Sequence, residues 1–103
     1  MESERFEWDD WKAEANLRKH KISFAEGATV FDDKLGLMID DLEHSWDEQR
    51  EILIGSSSLG KVLLVIYVER LLLNGRERYR IISARKATPA ERNAYEAQRK
   101  ANH

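Results

Sequence analysis

The first third of the chain has the residue spacing of an amphipathic helix. Trp11 and Ala15 lie four residues apart, which places both on one side of a helix, and Asp9 supplies an N-cap in front of them. The pattern predicts a helix over residues 10–20. The aromatic residues of this region are predicted to fill the seam between the helices and a sheet: Trp8, Trp11, Phe24 and Phe31.

A second helix is predicted directly after a short turn. Ser23 is followed three residues later by Glu26, which is the sequence of a capping box. Phe24, Ala28 and Phe31 then recur at helical spacing. A helix, a short turn and another helix therefore open the chain.

Apolar runs and alternating positions predict strands beyond residue 34. The strongest signal is the apolar run Val62–Val68, inside a strand predicted over residues 61–72. Asn74 and Gly75 predict a hairpin turn because both residues tolerate a positive φ. The other predicted segments are a strand over 35–39, an acidic loop over 40–48, a strand over 50–55 and a returning strand over 77–84.

The last helix has a clear start signal. Thr88 is the predicted N-cap, Pro89 occupies the first helical position and Glu91 completes a capping box. Consecutive strands joined by short turns pair antiparallel. The fold class is therefore α+β in one domain over residues 1–103: two N-terminal helices, an antiparallel four-stranded sheet and a C-terminal helix. A short extra strand near Phe6 would add to the sheet.

Charge is divided unevenly along the chain. The net charge is −2, with seven Lys and Arg against fourteen Asp and Glu in residues 1–50, and ten against five in residues 51–103. This division indicates a basic surface for a polyanion or an acidic partner, or merely a dipolar solvated surface. The chain has no cysteine and its longest apolar run is too short to cross a bilayer, so we expect a cytoplasmic protein without membrane contact.

Two cations stand at the junction of the last strand and the last helix. Arg85 and Lys86 directly follow the strand, and the helix N-terminus beyond them offers backbone N–H groups and a positive dipole end, which suit a phosphate. Alternatively, Arg85 pairs with a carboxylate of the acidic first half. His20, near the end of the first helix, suits proton transfer at neutral pH or merely complements the helix dipole.

The predicted hairpin carries a second polar cluster. Tyr67 and Glu69 share one strand face, Arg78 and Arg80 share a face of the returning strand, and Arg70 lies at the strand end. A phenol, a carboxylate and guanidinium groups on one sheet face would position an RNA backbone and stabilise charge at a scissile phosphate. Alternatively, these groups form cross-strand ion pairs on a solvated face.

Two segments resemble the signatures of a known family. Residues 6–33, FEWDDWKAEANLRKHKISFAEGATVFDD, resemble the N-terminal signature of the BrnT family, and residues 80–96, RIISARKATPAERNAYE, resemble its C-terminal signature. The middle segment at 50–70, REILIGSSSLGKVLLVIYVER, is also similar, so the resemblance covers about residues 6–96. It implies a RelE-like fold.

The resemblance implies a toxin of a type II toxin–antitoxin module, acting as a metal-independent endoribonuclease that inhibits translation. The implied reaction is attack of the ribose 2′-OH on the adjacent phosphate, without a cofactor. The implied partners are RNA and a BrnA-type antitoxin, whose ribbon-helix-helix domain would carry the complex to operator DNA.

Functional residues carry over from the positions that match the family. The implied catalytic residues are His20, Glu69, Arg70 and Arg85. The implied RNA-binding residues are Lys19, Tyr67 and Arg80, with Lys86 as a flanking cation. Asn16 and Glu91 also match, and a structural role is expected for both.

Two other functions stay open from the sequence. A catalytically degenerate chain would keep only antitoxin or partner binding, and it is separated from an enzyme by whether the basic side chains converge in one cleft. Direct DNA binding by this chain alone is disfavoured by the acidic first half and the lack of a helix-turn-helix signature.

Overall fold

A computed structural model describes residues 1–41 and 49–102 of the protein. Within these residues the elements occur in the predicted order, including the extra strand at the start. They are β1 (Phe6–Glu7), α1 (Asp10–His20), α2 (Phe24–Thr29), a 3-10 helix (Val30–Asp32), β2 (Leu37–Asp40), β3 (Glu51–Ser56), β4 (Val62–Leu71), β5 (Glu77–Lys86) and α3 (Pro89–Ala101). Most of the predicted acidic loop, residues 42–48, lies outside the described residues.

The described strands form one sheet in the order β1-β5-β4-β3-β2. The four strands β2 to β5 pair antiparallel, as predicted, and short turns join β3 to β4 and β4 to β5. The additional strand β1 makes the sheet mixed, because it runs parallel to β5 with Phe6 opposite Tyr79. Since β1 and β5 are far apart in the sequence, no hairpin forces them to be antiparallel.

Each face of the sheet packs on helices through alternate side chains of β4. On one face, Leu63 and Val65 are fully buried in a core that includes Phe24 of α2. On the other face, Leu64 packs with Tyr95 of α3. We call these two faces the α2 side and the α3 side.

A register shift in the β4–β5 pair decides where the end of β5 points. The shift falls between Ile66 and Tyr67 of β4 and leaves Ile82 of β5 as the extra residue of a bulge. Before the bulge, the odd-numbered residues of β5 face the α2 side, and beyond it the even-numbered residues do. Arg85 therefore points to the α3 side, opposite Leu64.

Asn16 of α1 closes the outer edge of β5 beyond the reach of β1. Its Nδ2 donates to the carbonyl oxygens of Ala84 at 2.7 Å and Ile22 at 2.9 Å. Its Oδ1 accepts from the backbone N–H of Ala84 at 3.2 Å. The side-chain amide thus replaces a neighbouring strand at Ala84 and attaches α1 to the sheet, which is the structural role expected for this residue.

The predicted helix starts are local and they form. Thr88 makes the complete capping box at the start of α3, and Ser23 accepts a hydrogen bond from the backbone N–H of Glu26. The predicted capping box at Ser23 is only half formed, because the Glu26 carboxylate is buried and turns to partners other than the Ser23 backbone. It accepts a 2.7 Å hydrogen bond from Ser57 and lies 3.6 Å from the Lys61 ammonium.

The predicted aromatic seam forms without Trp11. The rings of Trp8 and Phe24 lie 5.8 Å apart, and Phe31 packs against the core of the α2 side. Trp11 is 73% exposed, so its prediction as a seam residue is wrong. Asn16 turns its own face of α1 toward the sheet, and at 100° per residue Trp11 lies about 140° away from it.

Tyr95 attaches α3 to β3 from within the core. It is 1% exposed and packs with Leu64 on the α3 side. Its hydroxyl donates to Asp33 Oδ2 at 2.6 Å, and the same carboxylate oxygen accepts the backbone N–H of Ser56 at 2.8 Å. These contacts hold the helix that follows β5 against the opposite half of the sheet.

Replacing Asn16 by Ala is expected to lower the free energy of unfolding by about 3 kcal/mol, because it leaves the Ala84 and Ile22 backbone groups unsatisfied. Urea denaturation of both proteins measures this loss. The matched control is Asn93→Ala, at an exposed position of α3, which should change stability by less than about 0.5 kcal/mol. Equal losses in the two variants would contradict the role of Asn16.

Candidate functional site

The predicted site residues separate into two clusters at opposite ends of the sheet. The junction cluster is Lys19, His20, Arg85, Lys86 and Glu91. The hairpin cluster is Tyr67, Glu69, Arg70, Arg78 and Arg80. Arg70 pairs opposite Arg78, and Arg85 lies seven residues further along β5, which corresponds to about 20 Å. The hairpin connection explains this separation. Residues close to the turn at Asn74 pair with each other, whereas Arg85 lies at the far end of β5.

Arg85 is held at the junction of β5 and α3 by a carboxylate. Its Nη1 donates to Glu91 Oε1 at 2.8 Å and its Nη2 donates to Glu91 Oε2 at 2.9 Å. The backbone N–H of Thr88 donates to the same Oε1 at 2.8 Å, as part of the capping box. The alternative that Arg85 pairs with the acidic first half is wrong, because the capping box places Glu91 next to the strand end.

The pair at the junction keeps both of its charges. The hydrogen bonds from Arg85 hold the pKa of the Glu91 carboxyl at about 2, and the hydrogen bonds to Glu91 raise the pKa of Arg85. Glu91 therefore stays ionised and does not serve as a proton donor near neutral pH. The Arg85 side chain is 32% exposed, so part of the guanidinium remains accessible to an anion.

His20 is the titratable group of the junction cluster. It ends α1 and is half-buried. Burial lowers its pKa, and the charges of Lys19 and Arg85 lower it further. A helix C-terminus alone would favour the imidazolium, whereas burial and the two cations favour the neutral imidazole. A neutral imidazole at pH 7 is able to accept a proton.

The hairpin cluster does not offer the groups predicted for RNA. Tyr67 is 1% exposed and its hydroxyl donates to Glu51 at 3.0 Å, so its ring is part of the core rather than an RNA contact. Burial raises the pKa of Tyr67. The Glu69 carboxyl lies in a cavity of about 280 Å³ that also contains Glu51 and Glu77. Burial and a hydrogen bond with Glu77 raise the pKa of Glu69.

The arginines of the hairpin lie on the opposite face from Tyr67 and Glu69. The prediction of one shared face is wrong, because the register places Arg80 opposite Val68 and Arg78 opposite Arg70. N-terminal glutamates contact these arginines. Arg70 lies 2.6 Å from Glu7, Arg76 lies 2.7 Å from Glu4 and Arg78 lies 2.6 Å from Glu2. Arg80 is half-buried and pairs opposite Glu7 of β1.

Both the sequence and the fold of the chain are similar to those of known proteins. The profile of a family described as "Ribonuclease toxin, BrnT, of type II toxin-antitoxin system" matches residues 8–91. The crystal structure of the ribonuclease toxin BrnT of Brucella abortus is similar, with a TM-score of 0.60 and 23% identity over 82% of this chain and 96% of that chain. This likeness shows that the two chains share a fold. No curated protein matches the chain. Across residues 1–41 and 49–102, none of the helices has the length and hydropathy to cross a membrane.

The pKa of His20, measured by NMR titration, is expected to lie below the ordinary value of 6.5. A positive neighbour disfavours the imidazolium, so Lys19→Gln should raise this pKa. The control is Arg18→Gln, which removes an exposed cation one residue further away and should leave the pKa of His20 unchanged. A pKa at or above 6.5, or an equal response to both substitutions, would contradict the proposed electrostatics.

Proposed function

Since the chain belongs to the BrnT family of ribonuclease toxins of type II toxin–antitoxin systems, we propose that it cuts RNA as a metal-independent endoribonuclease at the junction cluster. The observation that supports this site is the half-buried His20 with a lowered pKa, close enough to Lys19 and Arg85 to feel both charges. The cluster unites a proton acceptor with fixed cations, which is what phosphoryl chemistry on RNA requires.

In the proposed reaction His20 removes the proton of a ribose 2′-OH, and the oxygen attacks the adjacent phosphorus. Arg85 and Lys19 stabilise the charge that develops on the phosphate oxygens. Of the five N–H groups of Arg85, three donate to Glu91 and to the Lys86 carbonyl, which leaves two for a phosphate as far as residues 1–41 and 49–102 are concerned. A 2′,3′-cyclic phosphate forms, and the leaving 5′ oxygen takes a proton from the Lys19 ammonium or from water.

The hairpin cluster is the weaker candidate for catalysis by Glu69 and Arg70. Its cavity is lined by three carboxylates, from Glu51, Glu69 and Glu77, which repel a phosphate. Arg70 is already paired with Glu7 at 2.6 Å. We therefore propose that His20 and Arg85 carry the reaction, with Lys19 and Lys86 as RNA contacts.

Family membership supports the rest of the proposal. The chain would inhibit translation in the cytoplasm by cleaving RNA, and a BrnA-type antitoxin with a ribbon-helix-helix domain would neutralise it. Contact with operator DNA would occur through that antitoxin. The chain itself has a net charge of −2, which disfavours binding to duplex DNA on its own.

The contact between Arg85 and Glu91 favours a second function, that of a binding module without catalysis. The two hydrogen bonds between Arg85 and Glu91, at 2.8 and 2.9 Å, also suit an arginine that only fixes the start of α3. In that case the chain is a degenerate toxin that retains antitoxin binding without cutting RNA.

We expect Arg85→Ala and His20→Ala to lower the rate of RNA cleavage by about 100-fold each, because one removes charge stabilisation and the other the proton acceptor. The rates are measured on purified protein with and without EDTA, and growth arrest is scored on induced expression. EDTA should leave the wild-type rate unchanged. Thermal melting of Arg85→Ala shows whether loss of the Glu91 partner has unfolded the protein.

The matched control is Arg70→Ala, which also removes an arginine from an ion pair but at the hairpin end. It should stay within about threefold of the wild-type rate, since exposed ion pairs contribute little. Loss of cleavage in Arg70→Ala together with full activity in Arg85→Ala would move the site to the hairpin. Intact RNA and normal growth with folded wild-type protein would favour the degenerate binding module.

A further inference from the structure

A groove lies beside the junction cluster, between the β3–β4 turn, the end of β5 and the first turn of α3. It is a cavity of about 250 Å³ lined by Gly60, Lys61, Val62, Lys86, Ala87 and Arg92. We call it the Lys61–Arg92 groove. Three cations from three separate parts of the chain line this groove, and the lining includes no acidic residue among those that the structure describes.

Nearby carboxylates compensate little of the positive charge of the groove cations. Within the described part of the chain, neither Lys86 nor Arg92 forms an ion pair, and both are exposed. Lys61 lies 3.6 Å from Glu26, and its side chain is 40% exposed. The hairpin arginines differ, because carboxylates at 2.6 to 2.7 Å neutralise them. In a chain with a net charge of −2, this groove is therefore a local region of positive potential.

The shape of the groove suits a nucleotide unit rather than a bare anion. Val62 and Ala87 are partly buried apolar residues that supply an apolar surface beneath the cations. Gly60 has a φ of +77°, and a Cβ built on it would meet no atom within 4 Å. The turn is thus open toward solvent at this point. A ribose and base against the apolar surface would place the phosphate at the cationic rim.

The groove and the junction cluster are attached to the same rigid backbone. Arg85 and Lys86 are neighbours in β5 whose side chains point to opposite faces, and Arg85 Nη1 donates to the Lys86 carbonyl at 3.2 Å. Glu91 and Arg92 are neighbours in α3, where Glu91 holds Arg85 and Arg92 lines the groove. An RNA strand that crosses this junction therefore contacts both places.

We propose that the Lys61–Arg92 groove binds a second phosphodiester of the RNA substrate, next to the phosphate that is cut at the junction cluster. Lys61 and Arg92 contact this phosphate, and Lys86 links the two positions. The inference rests on the proposed ribonuclease function. It implies that the enzyme requires a substrate longer than a dinucleotide for full affinity.

The test uses the full chain with Arg92→Ala and, separately, Lys61→Ala. The matched control is Lys100→Ala, an exposed cation near the other end of α3. Fluorescence anisotropy measures binding of a nine-nucleotide RNA with all 2′-hydroxyl groups O-methylated, so that no cleavage interferes, as a function of salt. Each groove variant should weaken binding about fivefold and reduce the salt slope by about 0.7, the value for one single-strand phosphate contact. Lys100→Ala should match the wild type.

Cleavage of a dinucleotide provides the second readout. Because it contains a single phosphodiester, its rate should be unchanged in Arg92→Ala, while kcat/KM for the unmodified nine-nucleotide RNA falls about fivefold. If both groove variants bind RNA with the affinity and the salt slope of the wild type, the proposal for the groove is wrong and the proposed ribonuclease function still stands. A wild-type protein that binds no RNA would overturn the proposed function together with the groove. Binding without cleavage, with the predicted loss in the variants, would support the groove and overturn only the catalysis.

Discussion

The outer edge of β5 is the constraint on which the arrangement of this molecule depends. Backbone groups on a covered strand edge need hydrogen-bond partners, and β1 supplies them only near Tyr79 and Arg80. Asn16 supplies them at Ala84. This contact sets the position of α1, so that His20, one helical turn beyond Asn16, comes to lie near the end of β5. A single amide side chain thus determines which titratable group stands beside the cations of the junction.

The elements were predictable from the sequence because their signals are local. The N-caps at Asp9, Ser23 and Thr88 and the hairpin turn each act over a few residues, and all of them form. In the hairpin turn Gly75 takes the expected positive φ and Asn74 does not. The orientation of side chains was less predictable, because it depends on contacts between distant parts of the chain. Trp11 is exposed because Asn16, not the apolar pattern, sets the rotation of α1.

Only part of the candidate site was predictable, because its assembly also depends on contacts between distant parts of the chain. The resemblance pointed to His20 and Arg85, and the structure brings their charges together. It also pointed to Glu69 and Arg70, but antiparallel pairing carries these residues to the other end of the sheet. The partner of Arg85 was predictable from the local sequence, since the capping box places Glu91 at the strand end.

The chain has an acidic first half and a basic second half, but its surface is not divided in that way. The N-terminal glutamates lie along the hairpin and neutralise its arginines, so positive charge from the second half remains at the junction. Folding therefore concentrates a basic region within a protein whose net charge is −2. A negative overall charge is for this reason compatible with a polyanionic substrate.

Because β5 has a bulge at Ile82, the face of the sheet toward which Arg85 points depends on the number of residues between the hairpin turn and Arg85. Counted outward from the hairpin, one residue more or fewer would leave the letters of the C-terminal segment intact and turn Arg85 toward the helices of the α2 side. Two relatives could then share this segment letter for letter and still present different surfaces. Alignments of such chains should be judged by the spacing between the turn and the arginine as well as by the motif, because a gap placed in β5 moves the arginine from one face of the sheet to the other.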